Sequence, residues 1–143
     1  MTAGYRTFKL AAALYALNAI PSLAMGVRYF RRTDFMPYQA KAVGHGVAEF
    51  SPELRTVILA MLKVIGGGFL GFGVTSLGLC AALWQGSATA NWALAIGSAA
   101  LFGPAWLAAS RVNGLGPDMG APVRLVEAGA ATSALAFVLA LFG

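Results

Sequence analysis

The chain has 143 residues, a net charge of +5, a hydrophobic fraction of 59% and only 10% charged residues. A soluble domain is about 45–50% apolar and about 25% charged, and a chain this short leaves too much of its surface wet to hide the excess in a core. Water is thereby excluded as the main solvent. Nucleic acid is excluded as the partner that the basic balance would otherwise suggest, because the basic residues cluster at the ends of apolar segments.

Apolar segments of about 20 residues cross a hydrocarbon core of about 30 Å, and the sequence offers four of them, near 7–27, 52–84, 91–110 and 122–142. The predicted fold is an all-α integral membrane protein, a four-transmembrane-helix bundle in one domain, with a longer loop between the first and second helices. The first span closes on Arg28, Arg31 and Arg32. Its charged start and apolar middle would also suit a signal peptide, but it is read as a retained span. Pro21 removes a backbone donor within it and predicts a local kink. Asn18 is a polar residue deep in the span, expected to bond across to another helix or to a carbonyl that Pro21 frees.

Loop one, about 28–51, carries Phe35, Met36, Tyr38, Val43 and Phe50 among polar residues. That mixture predicts a segment lying partly in the headgroup layer. It also holds the only histidine, in 43-VGHGVAEF-50. His45 and Glu49, four residues apart, could form an acid/base pair or contribute to a metal site. A metal site needs three or four ligands, and neither a second histidine nor a second cysteine exists to complete a zinc-type set. The expectation is an interfacial histidine and no metal.

The second span opens on 51-SPEL-54: Ser51 suits the cap, Pro52 the first helical position, and Glu53 the positive end of the dipole. Within it lies 64-VIGGGFLGFG-73, where Gly66, Gly68 and Gly71 match a dinucleotide fingerprint letter by letter. That chemistry requires a preceding strand, a helix N-terminus facing pyrophosphate and an acidic residue about 20 positions on. None is present. Gly67 and Gly71 are instead four apart, a spacing that puts small residues on one helix face and lets another backbone approach. Three consecutive glycines cost a helix about 1 kcal/mol each relative to Ala. Gly66, Gly67, Gly68 and Gly71 are therefore read as a helix-packing face or a ligand groove. Ala99/Gly103 and Gly129/Ser133 repeat the small-residue spacing on the third and fourth spans.

Lys63 and Glu127 enter their spans from the same side, to similar depths. An isolated charge in lipid is costly, so the two are expected to pair between helices. The alternatives are snorkelling of Lys63 to the interface and pairing of Glu127 with Arg124 one turn back. The third span contains Pro104, and Pro122 stands at the start of the fourth. The single cysteine, Cys80, has no intrachain disulfide partner. No serine lies in a nucleophile motif, so no catalytic residue is assigned.

Four spans place both termini on one side. Arg28, Arg31, Arg32, Lys41, Arg55, Arg111 and Arg124 fall on the other side, against Arg6 and Lys9. The positive-inside rule then makes loops one and three cytoplasmic, with the termini outside a bacterial inner membrane. Trp84, Trp92 and Tyr5 form the expected outer aromatic belt. The composition points to a small accessory or assembly subunit that packs against lipid, other membrane subunits or copies of itself through glycine-rich faces. The alternatives are an oligomeric transporter or channel using Lys63, Glu127 and Asn18, and a membrane enzyme acting on a lipid or quinone-like substrate with His45 and Glu49. No cofactor is specified.

Overall fold

The structure, a computed structural model, describes residues 3–116 and 119–143, with side chains described from Arg6 onward. Tyr5, expected in the aromatic belt, lies outside the described side chains. The elements are α1 (Ala3–Phe30), α2 (Pro37–Val43), a 3-10 turn (Val47–Glu49), α3 (Pro52–Trp84), α4 (Ala88–Asn113) and α5 (Val123–Leu141). Among the described residues the protein is all-helical, and α1, α3, α4 and α5 are each long and apolar enough to cross a membrane.

The ends of these helices follow from local chemistry. The Ser51 hydroxyl accepts from the Leu54 N–H at 3.4 Å, with Pro52 and Glu53 in the first turn of α3. α4 begins earlier than apolarity alone suggests, because the Ser87 hydroxyl accepts from the Ala90 N–H at 3.3 Å and caps the helix there. Pro122 immediately precedes α5 and does not occupy its first turn. α1 and α4 remain helical through Pro21 and Pro104. At 1.5 Å per residue the 33 residues of α3 extend about 50 Å, well beyond a hydrocarbon core of about 30 Å.

The four long helices form an antiparallel ring in the order α1, α3, α4, α5. The α1–α3 pair is the most closely packed, while α3 and α5 lie diagonally opposite. The reason for the close pair lies in three glycines. A Cβ on Gly66 would sit 2.7 Å from the Phe30 backbone nitrogen and 2.9 Å from the Gly26 carbonyl oxygen. One on Gly26 would sit 2.8 Å from the Leu70 nitrogen, and one on Gly73 2.6 Å from Leu23 Cγ. Only residues without side chains permit this approach of two backbones.

The four expected glycines divide: Gly66 packs inside the bundle, Gly68 lines a cavity, and Gly67 and Gly71 face outward. Gly66 packs, but its partner along α3 is Gly73, seven residues on, not the Gly67/Gly71 pair. A Cβ on Gly67, Gly68 or Gly71 would meet nothing within 4 Å. Each helical residue turns about 100°, so Gly67 is rotated off the face that Gly66 buries.

The best-packed core lies at the end of the bundle that carries the termini. Ala11, Ala12, Tyr15, Cys80, Leu83, Ala90, Leu94, Ala136 and Ala140 form one buried cluster there. Polar groups tie it together. The Tyr15 hydroxyl donates to Asn91 Oδ1 at 3.3 Å, and Asn91 Nδ2 donates to the Phe137 carbonyl at 3.3 Å. At the opposite end a smaller cluster of Tyr29, Met36 and Leu62 joins α1, loop one and α3.

Loop one is folded onto the bundle by that second cluster. Met36 and Val47 are its fully buried anchors. Asp34 Oδ1 accepts from the Phe35 N–H at 2.7 Å and the Val47 N–H at 2.9 Å, closing the loop on itself. Gly44 ends α2 with φ +86°, a left-handed backbone that suits glycine. In loop three Asn113 accepts from the Ala121 N–H at 2.9 Å and donates to its carbonyl at 3.3 Å.

Candidate functional site

Between the helices, at the loop-one end, the ring borders a half-open cavity of about 890 Å³. Ligand sites commonly measure about 300–1,000 Å³ and are mainly apolar. The space arises because small residues face inward at this level: Ala100, Ala105, Ala108 and Ala109 of α4, Gly68 of α3, and Ala128 and Gly129 of α5. Leu17, Ile20 and Leu125 line the cavity yet are more than half exposed, so it reaches the flank of the bundle where lipid tails would lie.

No described lining residue carries a charge. Three of its polar side chains are already committed. Asn18 Nδ2 donates to the Gly129 carbonyl and to the Ser133 hydroxyl, both at 2.9 Å. Asn18 thus bonds across to α5, as one of its two expected roles requires. The hydroxyls of Ser22 and Thr132 donate to carbonyls four residues back, those of Asn18 and Ala128. Gly129 has a further structural reason: a Cβ there would lie 2.8 Å from the Phe102 ring.

The polar end of the cavity belongs to α1 and α2. Tyr29 near the end of α1 and Tyr38 in the first turn of α2 share a hydrogen bond between their hydroxyls, and both line the cavity. The Tyr29 ring stacks parallel to Phe69 at 6.0 Å. Gln39 lies beside Tyr38, and its Oε1 accepts from the Met36 N–H at 2.9 Å. A second, smaller cavity of about 360 Å³ lies between α4 and α5, bordered by Ser98, whose buried hydroxyl has no partner among the described residues.

The charges are arranged differently from expectation. Lys63 and Glu127 do not pair. Lys63 Nζ donates to the Phe30 carbonyl, and to that of Arg32 at 3.3 Å, and lies 5.3 Å from the Phe30 ring centroid. The last carbonyls of a helix lack intrahelical donors and carry the negative end of its dipole, so the lysine caps α1. Glu127 instead accepts from the Trp106 indole N–H at 3.1 Å. The separation follows from the ring order, in which α3 and α5 are diagonal partners.

His45 and Glu49 do not form a pair either. The imidazole rests on the Phe50 ring at 4.5 Å, with Nδ1 3.3 Å from the Gly46 carbonyl oxygen. Glu49 Oε1 accepts from the Gly46 N–H at 3.1 Å and holds the 3-10 turn. No group of three or more potential metal ligands converges among the described residues. Asp34 is the loop's clearest electrostatic feature: the Val47 and Phe35 N–H groups hold its carboxyl below the usual carboxylate range.

The cavity residues Tyr29, Tyr38 and Gln39 were not singled out as a site by sequence. Their only signal is position, two tyrosines flanking the arginine-rich turn after the first span. No protein-family model matches the sequence, and no curated protein or solved structure matches the chain.

Proposed function

We propose that this protein is a small multi-pass membrane component that holds a lipophilic molecule between its helices. The single observation that supports the reading most strongly is the uncharged cavity of about 890 Å³, open at the flank of the bundle and covered at one end by loop one. Such a component would serve a larger assembly by presenting or storing a lipid or quinone-like molecule. In this proposal it resides in a bacterial inner membrane, with loops one and three cytoplasmic, in keeping with the arginines gathered at that end.

The test uses the full chain in nanodiscs of phosphatidylcholine, with co-purified lipophiles identified by native mass spectrometry. Wild type retains a lipophile beyond the nanodisc's own composition, and Ala105→Trp, which fills the cavity, loses it. Equal retention by the variant, or none by wild type, refutes the reading.

A second reading concerns a protein partner. Gly67, Gly71 and Gly78 of α3 face open space, since a Cβ on any of them would meet nothing within 4 Å. A membrane subunit or second copy docking there would offset the helix cost of these glycines. The transporter and enzyme readings draw less support, because Lys63, Glu127, Asn18, His45 and Glu49 each bond to separate partners.

A further inference from the structure

We infer that the molecule held in the cavity is a neutral lipophile whose head carries a hydrogen-bond acceptor, such as the carbonyl of an alkylated quinone, placed at Tyr29 and Tyr38. The inference rests on the reading of the cavity as a lipophile site and specifies which lipophile it takes.

Each tyrosine hydroxyl has one O–H to donate and can accept as well. Bonding the Tyr29 and Tyr38 hydroxyls to each other uses one O–H as donor. The other proton remains to be donated. Gln39 adds to the same balance: its Oε1 is occupied by the Met36 N–H, which leaves the amide NH2 as its outward chemistry. The end of the cavity under α2 therefore has donors to offer, and a ligand that answers them must bring an acceptor.

The charge pattern narrows the class further. No described lining residue is a lysine, arginine, histidine or carboxylate. A phosphate or ammonium headgroup taken into that space would be left without a counter-charge, which is strongly unfavourable in an apolar site. A ketone, quinone or ester oxygen carries no such penalty and gains a donor in a water-poor setting. Apart from Asn18, Ser22 and Thr132, which bond within the protein, the remaining wall is apolar, from Met25 and Phe69 to the α4 alanines, and suits a hydrocarbon tail. The stacked Tyr29 and Phe69 rings give a flat aromatic border beside the donors.

The test compares two probes on the full chain in nanodiscs: decylubiquinone, and an alkylbenzene of equal chain length with no oxygen. The double variant Tyr29→Phe/Tyr38→Phe keeps both rings and removes both hydroxyls. It weakens decylubiquinone binding by about three- to tenfold, the worth of one neutral hydrogen bond, and leaves the alkylbenzene unchanged. Either single variant changes quinone binding less, because the surviving hydroxyl still has its proton to donate. Unchanged quinone binding in the double variant overturns the inference, and so does an equal loss for both probes, while the cavity reading stands. Absence of both probes from wild type, or their equal binding to Ala105→Trp, overturns the cavity reading itself.

Discussion

Adjacent glycines on α3 should respond oppositely to the same substitution. In Gly66→Ala the new methyl carbon lies 2.7 Å from the Phe30 nitrogen and 2.9 Å from the Gly26 oxygen, where ordinary contact begins at 3.4 Å. Both obstacles are backbone, so the helices themselves must separate. Overpacking of this kind costs about 1–3 kcal/mol, and the helix preference for Ala over Gly returns about 1 kcal/mol. The net is a loss of up to about 2 kcal/mol. In Gly67→Ala the methyl meets nothing within 4 Å, so only the propensity gain of about 1 kcal/mol remains. The propensity term is common to both variants and cancels in their difference. That difference, about 1–3 kcal/mol, is the steric term alone. Reversible unfolding in mixed micelles with increasing dodecyl sulfate, followed by far-ultraviolet circular dichroism, measures it. Equal shifts for the two variants, or a larger loss for Gly67→Ala, would refute the assignment of the α1–α3 seam.

Three further outcomes follow from the bonding described above. Lys63→Met should destabilise the end of α1 by about 0.3–1 kcal/mol through loss of a cation at its C-terminus, and a Lys63/Glu127 double-mutant cycle should give coupling below about 0.5 kcal/mol, as for independent sites. Asn18→Leu should cost about 0.6 kcal/mol, and at most about 1.7, per hydrogen bond lost between membrane helices, and a cycle with Ser133→Ala reads the share carried by that hydroxyl. The Asp34 carboxyl has a lowered pKa in the folded loop. Its contribution to loop-one order is therefore complete above the ordinary carboxylate range near pH 4 and declines as pH falls through the lowered value. Limited proteolysis at Lys41 with an acid-tolerant protease should speed up on acidification in wild type and be fast throughout in Asp34→Ala.

The spans were legible because their signal is one-dimensional: length and apolarity decide whether a segment can cross lipid. The Ser51 cap was legible for the same reason, being written in adjacent residues. Which glycines pack was not. Spacings of four, as in Gly67/Gly71, and of seven, as in Gly66/Gly73, both define a helix face. The choice depends on Gly26 of α1, whose relevance appears only once α1 and α3 are known to be neighbours. Lys63 and Glu127 illustrate the same limit, since sequence gives depth but not the side of the helix. The cavity has no local signature: alanine and glycine occur throughout the chain, and no pattern distinguishes those whose small size leaves a space from those that fill one. Tyr38 meets Tyr29 because residues 37–43 fold as α2 over the end of α1, a placement that no local sequence pattern specifies.

The Tyr15–Asn91–Phe137 connection gives the bundle two unlike ends. It fixes α1, α4 and α5 to one another at the end that carries the termini, and there α3 and α4 are joined by the short turn 85–87. Towards the far end the ties run between neighbouring helices: Lys63 of α3 holds the end of α1, Asn18 of α1 holds α5, and Trp106 of α4 donates to Glu127 of α5. The bundle is therefore tied through its centre at one end and around its rim at the other, with the cavity left inside the rim. A molecule held there, as we propose, would be bounded by contacts between adjacent helices and not crossed by the Tyr15–Asn91 bond.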